Sequence, residues 1–130
     1  MKGIQAERDL VKILERHNIV AFRIPASGAA RKAVLPDIVA GYRGKIAFFE
    51  VKHAQRIYIG SKRLEALRDK AERFGAKAFI AFRPKGSSDY FIIPVEKSPA
   101  TLDSMKAKLL GKHIETFIRE FFLEERAFRE

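Results

Sequence analysis

The chain has 130 residues and no cysteine, and 26 Lys+Arg against 16 Asp+Glu give it a formal charge of +10 and a pI near 10.1. That length makes one domain with a real core, and a hydrophobic content of 47% excludes a largely disordered chain. The missing cysteines exclude disulfides and thiolate zinc sites, the basic excess selects an acidic polymer as partner, and neither an apolar run of about 18 residues nor a signal peptide is present, so the cytoplasm is the expected setting.

A first helix is expected from Gln5 to Arg16, where Ile4, Glu7, Val11 and Leu14 repeat at helical spacing. Glu7 therefore falls on the apolar stripe, either reaching out to solvent near the helix start or aimed at a cation beside the sheet. Ile19 to Ile24 reads as a strand that stops at Pro25. The loop that follows, Ala26 to Ala33, is small and basic. With Gly28, Arg31 and Lys32 it is either an ordinary connector or a clamp that closes over a phosphate.

Next come Pro36-Asp37 and, thirteen residues after Asp37, Glu50-Val51-Lys52. A turn centred on Arg43-Gly44 pairs Tyr42 with Lys45 and brings Asp37 opposite Glu50, with Cβ atoms roughly 4.5 to 5.5 Å apart. Strand side chains repeat with period two, so Lys52 shares the face of Glu50 and Asp37. Lys45 to Lys52 has apolar residues on both faces and reads as an interior strand. Glu50, on the face of Ile46 and Phe48, then needs a cation or strong hydrogen bonds. Two carboxylates suit Mg²⁺, which prefers oxygen ligands and keeps waters and substrate phosphates in its shell. Lys52 could orient or deprotonate the attacking water, or neutralise charge in the transition state. An ordinary hairpin with surface charges, or a Glu50–Lys52 ion pair of purely structural purpose, is the alternative.

After a basic stretch, His53 to Arg56, and Ile57-Tyr58-Ile59, a second helix opens with Ser61 as the expected N-cap. Leu64, Leu67, Ala71 and Phe74 form its stripe, and Gly75 ends it. Strands at Ala78–Phe82 and Tyr90–Ile93 follow. The order αβββαββ places a helical crossover between Val51 and Phe79, so those strands should be parallel within a mixed sheet. Beyond Ser98-Pro99 the chain reads as helix, with Ile114, Phe117, Ile118, Phe121 and Phe122 on one apolar face. The Phe117 side is expected in the core, with Phe121, Phe122 and Phe128 available for association. His17, His53 and His113 are too scattered for a metal cluster.

Taken together, Glu7-Arg8, Arg23-Ile24-Pro25-Ala26-Ser27-Gly28, Pro36-Asp37-Ile38-Val39-Ala40 and Glu50-Val51-Lys52 resemble the archaeal-type Holliday junction resolvases of the PD-(D/E)xK nuclease superfamily, over roughly residues 1 to 94. The resemblance implies an α/β, restriction-endonuclease-like fold with a mixed central sheet flanked by helices. The chain is expected to form a single nuclease domain, with a core at 1–98 and a helical extension at 99–130 that the resemblance does not cover. The resemblance also implies a homodimer that binds four-way DNA junctions by shape and nicks two opposed strands with Mg²⁺ or Mn²⁺, without an organic cofactor or a membrane. On this reading Glu7, Asp37, Glu50 and Val51 belong to the metal site, and Lys52 is the catalytic lysine. Ser27 lies on a loop near the scissile strand, and Arg8 and Arg23 lie near the DNA. Arg31, Lys32, Arg56, Lys62 and Arg63 complete the expected phosphate contacts. The superfamily often places Gln near the start of the helix after the lysine motif, whereas this helix begins Ser61-Lys62-Arg63-Leu64. Such differences also suit a viral relative, whose setting would be the host cytoplasm. The rival functions are another endonuclease of the same superfamily, restriction-like, flap or replication-linked, and a non-catalytic DNA-binding module.

Overall fold

The computed structural model describes residues 2–25 and 33–124. Helix α1 (Lys2–Arg16) leads into strand β1 (Val20–Arg23), and β2 (Ile38–Tyr42) and β3 (Lys45–Ala54) form the hairpin. Strand β4 (Arg56–Tyr58), helix α2 (Ser61–Phe74), β5 (Lys77–Pro84) and β6 (Phe91–Pro94) follow, and then β7 (Thr101–Asp103), α3 (Ser104–Leu110), β8 (Lys112–His113) and α4 (Ile114–Phe117). A π-helical turn, Ile118–Leu123, continues from α4. The main sheet has six strands in the order β1-β2-β3-β5-β6-β8, and β4 pairs with β7 in a separate ribbon.

The β2–β3 register is the expected one. Tyr42 pairs with Lys45 and Ile38 with Phe49, and the Asp37 N–H donates to the Phe49 carbonyl at 2.8 Å, extending the pairing toward Glu50. The turn is tight because Arg43 and Gly44 both take positive φ, 47° and 86°, the conformation that matches the twist of a two-residue hairpin. The connection through α2 makes β3 and β5 parallel, Phe49 facing Phe79 and Val51 facing Ala81, while every other pair in the sheet is antiparallel.

Two hydrophobic layers cover the sheet. On one face Ala6, Leu10 and Leu14 of α1 pack with Phe49, Phe79, Phe117, Ile118 and Phe122. On the other, Leu64, Leu67 and Ala71 of α2 pack with Phe48, Ile80, Phe82 and Ile93. Burying a Leu or Phe in this way is worth roughly 1.5–3 kcal/mol each, so the two helices are held by their apolar stripes. Tyr90, fully buried in the first of these layers, ties α1 to the start of β6 by donating from its hydroxyl to the Ala6 carbonyl at 2.6 Å.

Four sequence expectations change. The buried stripe of α1 runs through Ala6, Leu10 and Leu14, one position round from Ile4, Val11 and Leu14, and Glu7 lies on its shoulder. Ser61 is the first residue of α2 and makes no cap; Gly60 is the N-cap, without a side-chain bond, while Gly75 closes the helix in the left-handed region as expected. The segment after Pro99 is not simply helical, because β7 and β8 pair with β4 and β6. Phe122 is fully buried and Phe121 packs against the same core, its ring 5.3 Å from that of Phe79. Neither is a free surface for association, and Phe128 lies outside the described residues.

Candidate active site

At the end of the β2–β3 ladder, Asp37, Glu50 and Lys52 occupy one sheet face, the one covered by α2. Asp37 is fixed by its own backbone pairing and by its carboxylate, whose Oδ2 accepts the Val51 N–H at 2.8 Å. That bond holds one carboxylate oxygen against β3. Glu50 is 4% exposed, the only buried charged residue among those described. Its isolated charge would be costly there, and two cations compensate it. Lys52 Nζ lies 3.4 Å from Oε2, and Arg63, from the first turn of α2, forks onto both oxygens at 3.2 Å through Nε and Nη2. The same Nη2 also donates to the Leu35 carbonyl at 3.1 Å. The Glu50–Lys52 ion pair, the structural alternative that the sequence leaves open, is present but is only half of the arrangement.

Electrostatics marks Asp37 out. Burial, and then the negative charges of Glu50 and Glu7, raise its carboxyl from the usual 3.8 to about 6, against the lowering effects of the Val51 N–H and the Lys52 charge. The Glu50 fork in turn holds Arg63 firmly protonated. Two acids pressed together on a half-buried face repel unless a cation lies between them, and a pair of carboxylates is the usual protein share of a Mg²⁺ shell. The donor set thus fits a hard divalent ion held by Asp37 and Glu50. Val51, which has no side-chain donor, can add only its main-chain oxygen. Among the described residues no three His, Cys, Asp or Glu side chains converge as a ready metal-ligating group.

Glu7 reaches the neighbourhood from α1, on the opposite layer, and its Oε1 is 3.2 Å from Arg23 Nη1. Its charge is one of the causes that raise Asp37, but among the described residues it does not join Asp37 and Glu50 as a closed triad. Arg8, Arg56 and Lys62 are exposed. Ser27, Arg31 and Lys32 lie outside the described residues. His17 lies on its own helix, Nδ1 2.9 Å from the Ile13 carbonyl, and His113 pairs with Asp89 at 3.0 Å. Sequence reasoning placed Arg63 on the DNA-contacting surface and missed its grip on Glu50. No local spacing signals that contact, which depends on how α2 packs back over the sheet. Sequence reasoning also missed the brace in which Arg83 holds Asp9 at 2.9 Å and the Ser87 carbonyl at 2.7 Å.

Comparison with known proteins gives one consistent result. The family described as archaeal Holliday junction resolvase (Hjc) matches residues 1–124. The crossover junction endodeoxyribonuclease Hjc of Archaeoglobus fulgidus is 32% identical over 130 aligned residues, covering 95% of this chain and 93% of that protein. The namesake enzyme of Sulfurisphaera tokodaii is 36% identical over 85 residues, 63% of this chain and 59% of that protein. The stretch matched to the Sulfurisphaera, Sulfolobus acidocaldarius and Methanocaldococcus jannaschii relatives spans about three fifths of their length. A solved structure of Archaeoglobus fulgidus Hjc, described as a Holliday junction resolvase from an archaeal hyperthermophile, superposes with a TM-score of 0.74 at 27% identity, covering 88% of this chain and 98% of that one.

Proposed function

Because this chain belongs to the archaeal Holliday junction resolvase family, we propose that it is a structure-specific endodeoxyribonuclease that resolves four-way DNA junctions by paired, metal-dependent nicks in opposed strands. The observation that carries the reading is the face bearing Asp37, Glu50 and Lys52, where two crowded carboxylates and an amine meet on a chain of net charge +10. The family implies a divalent metal; Mg²⁺ suits an all-oxygen donor set, and Mn²⁺ should substitute.

Asp37 and Glu50 would hold the metal, with Glu7 adding negative charge from α1. A bound divalent ion supplies Lewis-acid polarisation of the phosphate and lowers the pKa of water. Asp37 Oδ2 already accepts the Val51 N–H, which leaves Oδ1 as the oxygen that would ligate the ion. Lys52, on the same face and anchored to Glu50, stands where it can hold the attacking water or neutralise charge gathering on the phosphate. Arg8, Arg23, Arg56 and Lys62 would track the phosphate backbone, joined by Ser27, Arg31 and Lys32. Contacts of that kind fix position and carry no base sequence, which suits recognition by junction shape.

Each chain carries one such face, so paired cutting calls for two copies related by a two-fold axis. The surface for the second copy is supported by the register of the sheet. Val20 and Phe22 on the outermost strand share a face with Val39, Gly41, Ile46 and Phe48. Helix α2 covers that face over β3 and beyond but leaves Val20, Phe22 and Phe74 at 52%, 62% and 60% exposure. An apolar, self-adjacent patch of this sort on a basic protein fits an isologous contact.

The test is nuclease assay of a labelled immobile four-way junction beside linear duplex and flap DNA, in Mg²⁺ or EDTA, with wild type and Asp37→Asn. Preferential nicking of the junction that needs both metal and Asp37 is the expected result. Preferential cutting of another substrate would retain the nuclease and overturn junction specificity, and binding without cutting would leave a DNA-binding module.

A further inference from the structure

Arg63 has two requirements placed on it that conflict. A metal shared by Asp37 and Glu50 needs the Glu50 carboxylate, and both of its oxygens are taken by the Arg63 fork at 3.2 Å, with Lys52 also 3.4 Å from Oε2. Glu50 itself cannot move out to meet the ion, since it is buried on an interior strand. Arg63 can move. Its side chain is 45% exposed and sits on the first turn of α2, against 6% for the Glu50 side chain, and its remaining tie is a single bond to the Leu35 carbonyl. Lys52 is less free, at 27% exposure and two residues along the same strand.

We propose that Arg63 is the resident counter-ion of Glu50 in the free protein, displaced when the metal loads, and that the DNA phosphate at the site is the partner that receives it. This rests on the reading of Asp37 and Glu50 as metal ligands given above. A guanidinium is always charged and planar, and the two parallel N–H···O bonds it makes to a carboxylate it makes equally well to a phosphate. Leaving Glu50 for water alone would expose Arg63 to no new partner and would cost the fork. Leaving it for a phosphate exchanges one bidentate anion for another. Metal loading and DNA arrival therefore favour each other through one side chain: without DNA the fork competes with the metal, and with DNA the competitor is drawn away. By linkage the same factor appears in both directions, the metal tightening DNA binding as much as DNA tightens the metal. Arg63 acts here as a positioning residue, through Glu50 and the phosphate.

The experiment is a Mn²⁺ titration of the free protein by electron paramagnetic resonance and calorimetry, for wild type, Arg63→Gln, Arg63→Lys and, as a control for net charge on the same helix, Arg68→Gln. A second arm measures the affinity for a labelled junction by anisotropy, in Ca²⁺ and in EDTA. Arg63→Gln is expected to tighten Mn²⁺ binding to the free protein about tenfold or more while Arg68→Gln leaves it unchanged, and Arg63→Lys, charged but unable to fork, should fall between. The Ca²⁺-dependent gain in junction affinity, of the order of 5–150-fold for a coupling of this kind, should shrink in Arg63→Gln. Unchanged or weaker Mn²⁺ binding in a folded Arg63→Gln, or equal gains from Arg63→Gln and Arg68→Gln, overturns the counter-ion role alone. No Mn²⁺ binding by any variant overturns the assignment of Asp37 and Glu50 to a metal, and this proposal with it.

Discussion

Asp37 carries an electrostatic cost in the metal-free fold. Its carboxyl titrates near 6 in the fold against an ordinary value of 3.8 because it is buried beside Glu50, so the folded state binds that proton more tightly than the unfolded chain does. The stabilisation this confers is full below about pH 4 and is lost as the pH rises through about 6, leaving the metal-free protein strained at neutral pH. Asp37→Asn removes the charge and keeps an acceptor for the Val51 N–H. In EDTA it should be more stable than wild type by roughly 1–3 kcal/mol at pH 8 and nearly equal at pH 4. Denaturant unfolding across that range checks this; a gap that does not grow with pH would contradict the crowding of Asp37 and Glu50. The face that crowds them was legible in sequence, because period-two alternation and a two-residue turn fix which side chains oppose. The fork of Arg63 was not. Its contact to Glu50 depends on how far α2 swings back over the sheet, which no local spacing records.

At the scale of elements, the strong periodicities came through and the short pairings did not. The hairpin register, the β3–β5 parallel pair and the glycine-closed end of α2 follow from turn residues, crossover length and a helical stripe, all of them local signals. By contrast β4, β7 and β8 span only three, three and two residues, and they exist because a distant strand edge accepts them. Burial of Phe122 continues the face that Ile114, Phe117 and Ile118 already turn to the core; the sequence alone divides one apolar face between core and association, and no local signal says how far along it the core extends. One contact shows how closely the β8 region is fitted. A Cβ on Gly111 would stand 2.7 Å from both the Ile92 carbonyl oxygen and Ile93 Cγ1, and 3.0 Å from the Ala107 carbonyl oxygen. Since two of those neighbours are backbone, Gly111→Ala must displace the α3–β8 connection from β6. A loss of ~1–3 kcal/mol is expected, read as a lower urea midpoint; an unchanged midpoint would show that the segment after α3 is not seated as described.

At the scale of the whole molecule, charge and the uncovered part of the sheet act together. A basic protein repels its own copies at long range, so the proposed association would have to come from apolar contact, which Val20 and Phe22 on the outermost strand and Phe74 at the end of α2 offer. Phe22 is 62% exposed, and Phe22→Asp should leave the protomer folded. It should turn a sedimenting dimer into a monomer, with junction binding weakened and paired cutting lost; a variant that still sediments as a dimer would put the two-fold contact elsewhere. On the proposed function a dimer would matter because opposed strands have to be cut before the junction dissociates. The most direct test therefore uses a supercoiled plasmid that extrudes a cruciform, digested in Mg²⁺ and followed over time. Two nicks placed within one binding event give linear plasmid from the earliest points, in wild type but not in Asp37→Asn or Phe22→Asp. Accumulation of nicked circles that become linear only slowly, or cleavage equal on a plasmid without the cruciform, would contradict paired resolution of a four-way junction by this protein.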